Sequence, residues 1–551
     1  MDNLTHPLRC AVVAAVLQRH APVPYGLPIF LLVSVPVGSV DLIADLHRVP
    51  RHQMNELAPV NPVAMNVFIA FFVLVTVIGF FAARWKRGDL TQLHEWGLGG
   101  RQFGTVISWF LVGGDFYTAY TVIAVPALVY SVGAYGFFAL PYTIIVYPFV
   151  FAVMPKLWIV AKEKNHITAA DYVQGEYGGK WFPAAVALTG IVATMPYIAL
   201  QLVGMQAVIK GLGVSGETPL IVAFVILAVY TYASGLRAPA MIAFVKDIMI
   251  YIVVIAAIWL IPAKLGGYAH VFDTADTYFK AKGGATGIIL KPSQFTAYAS
   301  LALGSALAAF MYPHTMTAVL SSSSASTVRK NAIFLPAYTL LLGLIALLGY
   351  MAIAAGVHVK SASDIVPALF NTLFPSWFVG FAAAAIAISA LVPAAIMSIG
   401  AANLFTRNLW RPLVSPDMGS AQEASTAKIV SLVVKFGALL FIVFLPTQYA
   451  IDLQLLGGVW ILQIFPAIVF SLYTRRLSTP GLFLGWLAGI VLGTGLAISQ
   501  GLKPVYPLHA GGETWPLYIG LIALSINIVI SFVASFVLPH GRFVSTRQIA
   551  E

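Results

Sequence analysis

The chain has 551 residues, of which 60% are hydrophobic and only 9% are charged. A soluble domain carries far more charge on its surface, so this composition indicates a polytopic α-helical membrane protein. The formal net charge is +11, but the basic residues are scattered between apolar runs and form no stripe, which argues against nucleic-acid binding.

Two further features exclude other kinds of chemistry. The chain has one cysteine, Cys10, and therefore neither a disulfide framework nor a cysteine ligand set for a metal. It contains no GxxxxGK[ST] phosphate loop, so ATP-driven transport is not expected. We expect no cofactor other than a coupling ion.

The N-terminal residues 1–63 are more polar than the rest. We expect either a poorly ordered extension or a mis-assigned start, for which Met54 and Met65 are alternatives. An interrupted apolar run, 26–43, leaves an extra helix or a targeting segment as further alternatives. The membrane domain is expected to cover 64–540, and residues 541–551 to form a cytoplasmic tail.

Apolar runs of about 20 residues recur from Ala64 onward and predict an all-α protein with about thirteen transmembrane helices. If the first loop between spans is cytoplasmic, that side holds most of the lysines and arginines, which places the C-terminus inside. The predicted spans are 64–83, 103–131, 136–155, 182–211, 219–236, 239–263, 295–319, 331–356, 376–406, 428–446, 451–474, 480–499 and 516–538.

The second span is unusual because Gly113, Gly114 and Asp115 lie in its middle. At ~1.5 Å per residue, Asp115 lies roughly 20 Å beyond the basic flank at Arg101, near the membrane midplane. An acid there is costly, and a glycine pair is where a helix can open. We expect a broken helix whose freed carbonyls help to bind a cation such as Na⁺. A structural carboxylate is the alternative.

Spans two to six and seven to eleven can be compared as two five-helix units, about 101–264 and 295–474. The first unit begins with the glycine pair, and the second begins with a span that contains Gly304 and Pro313. Inverted repeats with interrupted first helices form sites at their interface. The loop 266–292 is expected to be an external, mobile segment.

Other polar residues in the spans are further candidates for a site. The segment 117–121, YTAYT, follows Asp115 directly and suits a small polar substrate. Tyr197 and Gln201 in the fourth span share one helix face through their i, i+4 spacing. A hydrogen bond between helices is the alternative for Gln201.

Charged and titratable side chains occur in two later spans. Lys246 and Asp247 are candidates for ion coupling, and the alternative is an interfacial pair that reaches the membrane surface. Tyr312 and His314, within FMYPHTM, are candidates for substrate binding. His314 could also relay protons, and the alternative is a structural histidine that bonds to a carbonyl.

These motifs together resemble the sodium:solute symporter family over nearly all of residues 64–540. The similar segments are GGRQFG, GGDFYTAYTVIAVPALVYSVG, HITAADYVQGEYGG, YIALQLVGMQAVIKGLG, YASGLRAPAMIAFVKDIM, FMYPHTMTAVLSSSSASTVRKN and PAIVFSLYTRRLSTPGLFLGWLAG. GGDFYTAYT and ATMPYIALQLVG are most similar to the bacterial monocarboxylate uptake permeases of this family.

The resemblance implies a LeuT-like five-plus-five inverted repeat with a sodium site between the second and ninth spans. By position, the carbonyls of Gly113 and Phe116 would bind Na⁺ near Asp115. Substrate contacts would fall on Tyr117, Thr118 and Ala119. The carbonyl ligand and the two hydroxyl ligands of the ninth span would fall on Ser389, Val392 and Pro393, in that order.

The ninth span departs from that pattern because valine and proline have no side-chain oxygen. The remaining carbonyls make an incomplete shell for a hard cation. Either the register differs, with Ser398 as the nearest alternative hydroxyl, or coupling has changed from Na⁺ to H⁺. Asp115, or Lys246 with Asp247, would then carry the proton.

The expected function is a symporter that couples a Na⁺ or H⁺ gradient to uptake of small monocarboxylates such as pyruvate, lactate or acetate. An amino-acid (proline-like) or other organic-solute symporter is the alternative, and a sensory membrane module or a membrane enzyme fits less well. We expect a multi-pass protein of a bacterial cytoplasmic membrane. Its partners would be an organic anion and the lipid bilayer, with no obligate protein partner.

Overall fold

The structure is a computed structural model that describes residues 60–85, 88–214, 218–444 and 450–538. Except for residues 60–63, the predicted N-terminal extension lies outside the described residues, as does the predicted tail 541–551. The first helix begins after Asn61, whose side-chain oxygen accepts hydrogen bonds from the backbone N–H groups of Val63 and Ala64. Pro62 occupies the first turn, where its missing N–H has no helical partner to lose.

Helices dominate the described residues. Those of the first half are α1 (Pro62–Phe81), α2 (Leu93–Leu98), α3 (Thr105–Phe116), α4 (Val125–Val132), α5 (Ala139–Glu163), α6 (Ala169–Tyr177), α7 (Trp181–Gly211), α8 (Thr218–Ser234) and α9 (Arg237–Lys264). Those of the second half are α10 (Tyr268–Lys282), α11 (Phe295–Ala309), α12 (Pro313–Leu320), α13 (Ala325–Phe334), α14 (Pro336–Ala346), α15 (Leu348–Ala354), α16 (Ile365–Leu373), α17 (Ser376–Leu404), α18 (Arg411–Leu413), α19 (Ser420–Phe444), α20 (Ala450–Ile461), α21 (Phe465–Val469), α22 (Thr479–Ser499) and α23 (Ile519–Val537).

Two spans are broken, and they are the two predicted from the sequence. In the first, α3 and the segment Tyr120–Val132, a π-helical turn followed by α4, meet at 45°. In the second, the helix Pro292–Ala309 and α12 meet at 48°. Since each break begins one predicted five-helix unit, the architecture agrees with two such units, although the unit boundaries stay a prediction.

The first break does not lie where the sequence placed it, whereas the second lies directly before Pro313, as predicted. Gly113 and Gly114 are inside α3, which continues to Phe116, and the chain leaves the helix at Tyr117, with ψ 77°. Gly304 is likewise inside α11. These glycines make room for neighbouring side chains, because a Cβ on Gly304 would lie 2.3 Å from the Tyr518 ring.

Helix α17 forms the centre of the described structure. It packs against α1, α7, α9, α12 and α19, and it passes Pro393 without a break. Most of its residues are alanine, glycine or other small side chains, which allow neighbouring helices to approach closely. The backbone carbonyl of Ala64 in α1, for example, lies against Gly380.

Each of the thirteen predicted spans overlaps one or more helices of the described residues. Among the described residues, nine helices are long and apolar enough to cross a membrane, or up to eleven spans if each bent pair is one. Two further helices are not in that number. Helix α8, with 17 residues, overlaps the predicted span 219–236, and α19 overlaps the predicted span 428–446. The total of thirteen therefore stays a prediction.

The loop prediction for 266–292 is wrong, because this segment contains α10. Its Val271, Ala275 and Phe279 recur at i, i+4 and i+8 and are all buried. The Phe279 ring packs against Tyr350, with ring centroids 6.1 Å apart. This apolar face fixes α10 to the bundle.

The predicted last span begins too early, because residues 513–518 form a strand. Strands β1 (Val505–Ala510) and β2 (Glu513–Tyr518) pair antiparallel across Gly511 and Gly512, whose φ values of 64° and 82° suit a tight hairpin turn. Tyr518 is buried, and its hydroxyl donates to the Leu455 carbonyl at 2.7 Å. The all-α prediction therefore holds except for this hairpin.

We expect Gly380→Ala to lower the thermal stability of the purified protein in detergent. The new Cβ would lie 2.2 Å from the Ala64 carbonyl oxygen, and backbone of α1 or α17 must move to relieve the clash. Overpacking of this kind costs about 1–3 kcal/mol.

Gly495→Ala in α22 is the matched control, since a Cβ there meets nothing within 4 Å. Alanine should be neutral or stabilising by about 0.5–1 kcal/mol at that helical position. Equal melting temperatures for the two variants would contradict the close α1–α17 contact.

Candidate functional site

The first break leaves backbone groups that side chains of other helices satisfy. The N–H of Ala119 donates to the Gln201 side-chain oxygen at 3.0 Å, and the Gln201 amide donates to the Tyr197 carbonyl of its own helix at 3.2 Å. The Thr118 hydroxyl accepts from the Tyr120 N–H at 3.0 Å. Gln201 therefore supports the backbone of the break, which agrees with the interhelical alternative.

Lys246 binds the carbonyls at the end of α3. Its Nζ donates to the carbonyl oxygens of Gly114 at 2.5 Å and Tyr117 at 3.0 Å, and lies 3.0 Å from Asp247 Oδ1. Lys246 and Asp247 are 0% and 1% exposed. The interfacial alternative for this pair is therefore wrong, because both side chains point into the protein, where they neutralise each other.

Tyr338 of α14 completes this arrangement. Its hydroxyl donates to Asp247 Oδ2 at 2.8 Å, and its backbone carbonyl accepts a hydrogen bond from the Tyr117 hydroxyl. The ring lies against Gly113, where a Cβ would be 2.1 Å away. Nothing in the local sequence marked Tyr338, because its importance comes from contacts with α3 and α9 that are distant along the chain.

Asp115 lies in a second group of polar side chains, which we call the Asp115 cluster: Asp115, Tyr120, Tyr197, Tyr312 and His314. Asp115 Oδ2 is 3.7 Å from His314 Nε2, and both residues are 1% exposed. The His314 ring lies 5.2 Å from the rings of Tyr197 and Tyr312. The cluster thus joins the first broken helix to α7 and the second broken helix.

Several polar atoms of this cluster have no hydrogen-bond partner among the described residues. They are both carboxylate oxygens of Asp115, Nδ1 of His314 and the hydroxyl of Tyr120. Burying such groups without partners is costly. A group of atoms of this kind is therefore suited to a small polar ligand. His314 Nδ1 does not bond to a carbonyl among the described residues, which argues against the alternative of a histidine satisfied by a carbonyl.

Two of the predicted sodium ligands have partners within the protein. The Gly113 carbonyl accepts from the Tyr117 N–H at 3.2 Å, and the Phe116 carbonyl accepts from the Thr121 hydroxyl. The Ser389 carbonyl lacks its usual helical donor, because Pro393 has no N–H. The Ser389 and Ser398 hydroxyls donate to the carbonyls of Ala385 at 2.7 Å and Ala395 at 2.8 Å. A sodium site built from these atoms stays a prediction.

A cavity adjoins the second break. It extends between α7, α12 and α17 to the start of α6, on the side predicted to be cytoplasmic. Its lining includes Gly190, Pro313, Thr317, Gly400 and Thr168. The cavity lies near the Asp115 cluster, because Pro313 lines it and His314 is the next residue of α12.

A charged network near that end of the cavity was not predicted from the sequence. The Asp171 carboxylate accepts from the Asn408 amide at 2.7 Å and lies 3.5 Å from Arg407 Nε. Arg407 also pairs with Glu423 at 3.1 Å. These contacts tie α6 to α19 and to the segment that follows α17.

Residues 96–489 match the sequence model described as "Sodium:solute symporter family". The "Monocarboxylate transport permease protein" of Rhizobium johnstonii is 65% identical over 481 residues, which cover 87% of this chain and 98% of that protein. The "Uncharacterized symporter YodF" of Bacillus subtilis is 34% identical over 470 residues, 85% of this chain and 93% of the relative.

One solved structure supports the fold. It shows a Na⁺-coupled sialic acid symporter, has a TM-score of 0.71 at 13% identity, and matches 88% of this chain and 99% of its own. This likeness confirms the predicted LeuT-like fold of a multi-pass membrane protein.

We expect Tyr338→Phe to lower the thermal stability of the purified protein. Asp247 Oδ2 would lose its hydroxyl donor in a buried position, which costs about 1–3 kcal/mol. Tyr268→Phe is the matched control, because the Tyr268 hydroxyl also donates one hydrogen bond, to Ile258, but the side chain is exposed. Equal melting temperatures for the two variants would show that the Asp247 contact does not stabilise the break.

Proposed function

The chain belongs to the sodium:solute symporter family, and from this membership we propose that it takes up small monocarboxylates, such as pyruvate, lactate or acetate, in symport with a cation. The observation that carries the proposal is the 65% identity, over nearly the whole of both chains, to a relative named a monocarboxylate transport permease. The cation is Na⁺ or H⁺. The chain is a transporter by family, so no chemical reaction on the substrate is proposed.

The Asp115 cluster is our proposed substrate site. It lies between the two broken helices, and its unpartnered atoms are buried. Helix α12 begins there at Pro313, and the start of a helix attracts a carboxylate through its free N–H groups and its dipole. The neighbouring aromatic rings of Tyr197 and Tyr312 suit the short apolar part of such a substrate.

The residues at the break have a supporting role in this proposal. The Tyr117 hydroxyl and the Thr118 hydroxyl bond to backbone groups, and Ala119 bonds to Gln201. They hold the α3–α4 backbone in its open form beside the cluster. Direct substrate contacts from Tyr117, Thr118 and Ala119 stay predictions.

We place the protein in a bacterial cytoplasmic membrane with its C-terminus inside. The support is the distribution of basic residues, which are concentrated on one side of the predicted spans. The network of Arg407, Arg411 and Glu423 lies on that side.

Counterflow tests the substrate without an ion gradient. Proteoliposomes loaded with unlabelled pyruvate should transiently accumulate labelled pyruvate from outside, and external lactate or acetate should compete. Proline should not compete. Counterflow with proline, and none with any monocarboxylate, would favour the amino-acid alternative.

We expect His314→Ala to raise the pyruvate concentration for half-maximal counterflow by at least about tenfold. A hydrogen bond to a charged group contributes about 1.5–3 kcal/mol, and ~1.4 kcal/mol corresponds to tenfold. His358→Ala is the control, because His358 is exposed. If both variants transport with the wild-type concentration dependence, His314 does not bind the substrate.

A further inference from the structure

Tyr120 has a buried hydroxyl for which the described residues offer no hydrogen-bond partner. The residue is 1% exposed, and its hydroxyl neither donates nor accepts among these residues. Other buried tyrosines beside the breaks differ in this respect. The Tyr117 hydroxyl donates to the Tyr338 carbonyl. The Tyr312 hydroxyl donates to the Gln454 carbonyl at 2.9 Å. A hydroxyl buried like that of Tyr120 is costly unless a ligand supplies the missing partner.

We propose that the Tyr120 hydroxyl binds the oxygen at C2 of the substrate. The transporter then selects 2-oxo and 2-hydroxy monocarboxylates, such as pyruvate and lactate, over acids without an oxygen at C2, such as propionate and acetate. This inference rests on the proposed monocarboxylate transport at the Asp115 cluster. It narrows the substrate class and assigns a residue to the selection.

The backbone around Tyr120 is held in place by the protein itself. The Tyr120 N–H donates to the Thr118 hydroxyl at 3.0 Å, and the N–H of Ala119 donates to the Gln201 side chain at 3.0 Å. Tyr120 also begins a π-helical turn, in which its carbonyl accepts from the Val125 N–H. Turns of this kind occur frequently at functional sites. A side chain that starts from such a fixed backbone loses little freedom when a ligand binds.

The neighbours of Tyr120 connect it to the proposed position of the substrate carboxylate. Tyr120 is close enough to Tyr197 and Tyr312 to interact with them electrostatically. The rings of these two tyrosines each lie 5.2 Å from the His314 ring, at the start of α12. The carboxylate is proposed to bind there. Because C2 is bonded directly to the carboxylate carbon, the C2 oxygen must lie in the same small site.

A phenol hydroxyl suits both kinds of substrate. The keto oxygen of pyruvate only accepts hydrogen bonds, whereas the alcohol of lactate donates and accepts. A tyrosine hydroxyl also donates and accepts, so Tyr120 can bind either oxygen. An ionised carboxylate only accepts, so Asp115 could in that form bind the alcohol of lactate but not the keto oxygen of pyruvate. Tyr120 is therefore the group that recognises both.

Selection follows from the cost of leaving the Tyr120 hydroxyl without a partner. An acid that lacks the C2 oxygen places an apolar carbon against this hydroxyl. A site that is built to bind a substrate oxygen rejects analogues without it for this reason. We expect a difference in apparent affinity of at least about tenfold, which corresponds to ~1.4 kcal/mol.

Competition in pyruvate counterflow tests the selection. Propionate is the matched ligand, because it has the carbon chain of pyruvate and lactate but no oxygen at C2. The concentration of external pyruvate or lactate that halves the counterflow should be at least about tenfold lower than that of propionate. Equal concentrations, or a preference for propionate, would overturn the inference while leaving the substrate proposal intact. Absence of counterflow with every monocarboxylate tested would overturn both.

Tyr120→Phe should remove most of this selection. The half-inhibiting concentrations of pyruvate and lactate should rise by at least about tenfold, whereas that of propionate should stay the same or fall. Tyr350→Phe is the matched control, since the Tyr350 hydroxyl is also buried without a partner among the described residues, but its ring packs against Phe279 of α10. An equal change for all three acids in Tyr120→Phe would overturn the inference.

Thermal stability separates this role from a structural one. Without substrate, Tyr120→Phe should melt at or above the wild-type temperature in detergent, because a buried hydroxyl without a partner does not stabilise the fold. Saturating pyruvate should raise the melting temperature of the wild type more than that of the variant. Melting well below the wild type without substrate, or equal shifts with pyruvate, would contradict the assignment of Tyr120.

Discussion

An opened helix inside a membrane needs partners for its freed backbone groups, because the hydrocarbon of the lipid offers none. At the first break, two side chains from other helices supply such partners. The Lys246 ammonium binds the carbonyls at the end of α3, and the Gln201 amide binds the N–H of Ala119. The bend of 45°, and with it the position of Asp115, depends on both contacts.

This constraint explains why small residues surround the break. Gly113 leaves space for the Tyr338 ring, and Gly114 leaves space for the head groups of Lys246 and Asp247. A Cβ built on Gly204 would lie 2.3 Å from the Ala119 side chain. Such close approaches put α3, α7, α9 and α14 in contact through polar groups. Some polar atoms of the Asp115 cluster can then remain without hydrogen-bond partners, because other contacts hold the surrounding helices in place.

Hydropathy was sufficient to predict the helical fold, because span length and apolar content depend only on local composition. Glycines and Pro313 indicated the two broken spans, and the second break lies directly before Pro313. The position of the first break was not predictable in this way. Gly113 and Gly114 suggested flexibility, but their role is to make space for residues far away in sequence. Tyr338 was missed, and the burial of the Lys246–Asp247 pair was not predictable, for the same reason: burial and partners depend on which helices meet. Helix α10 was missed because only a few of its residues are apolar and buried, so its sequence resembles that of a polar loop.

The hairpin of β1 and β2 is a position from which movement of the helices could be measured. Its base is anchored through Tyr518, whose N–H donates to Ser300 in α11 at 2.9 Å and whose hydroxyl donates to Leu455 in α20 at 2.7 Å. Its tip, around Gly511 and Gly512, is exposed. A spectroscopic label at the tip would therefore be attached, through the hairpin, to both α11 and α20. It would report movement of these helices without a foreign group inside the bundle.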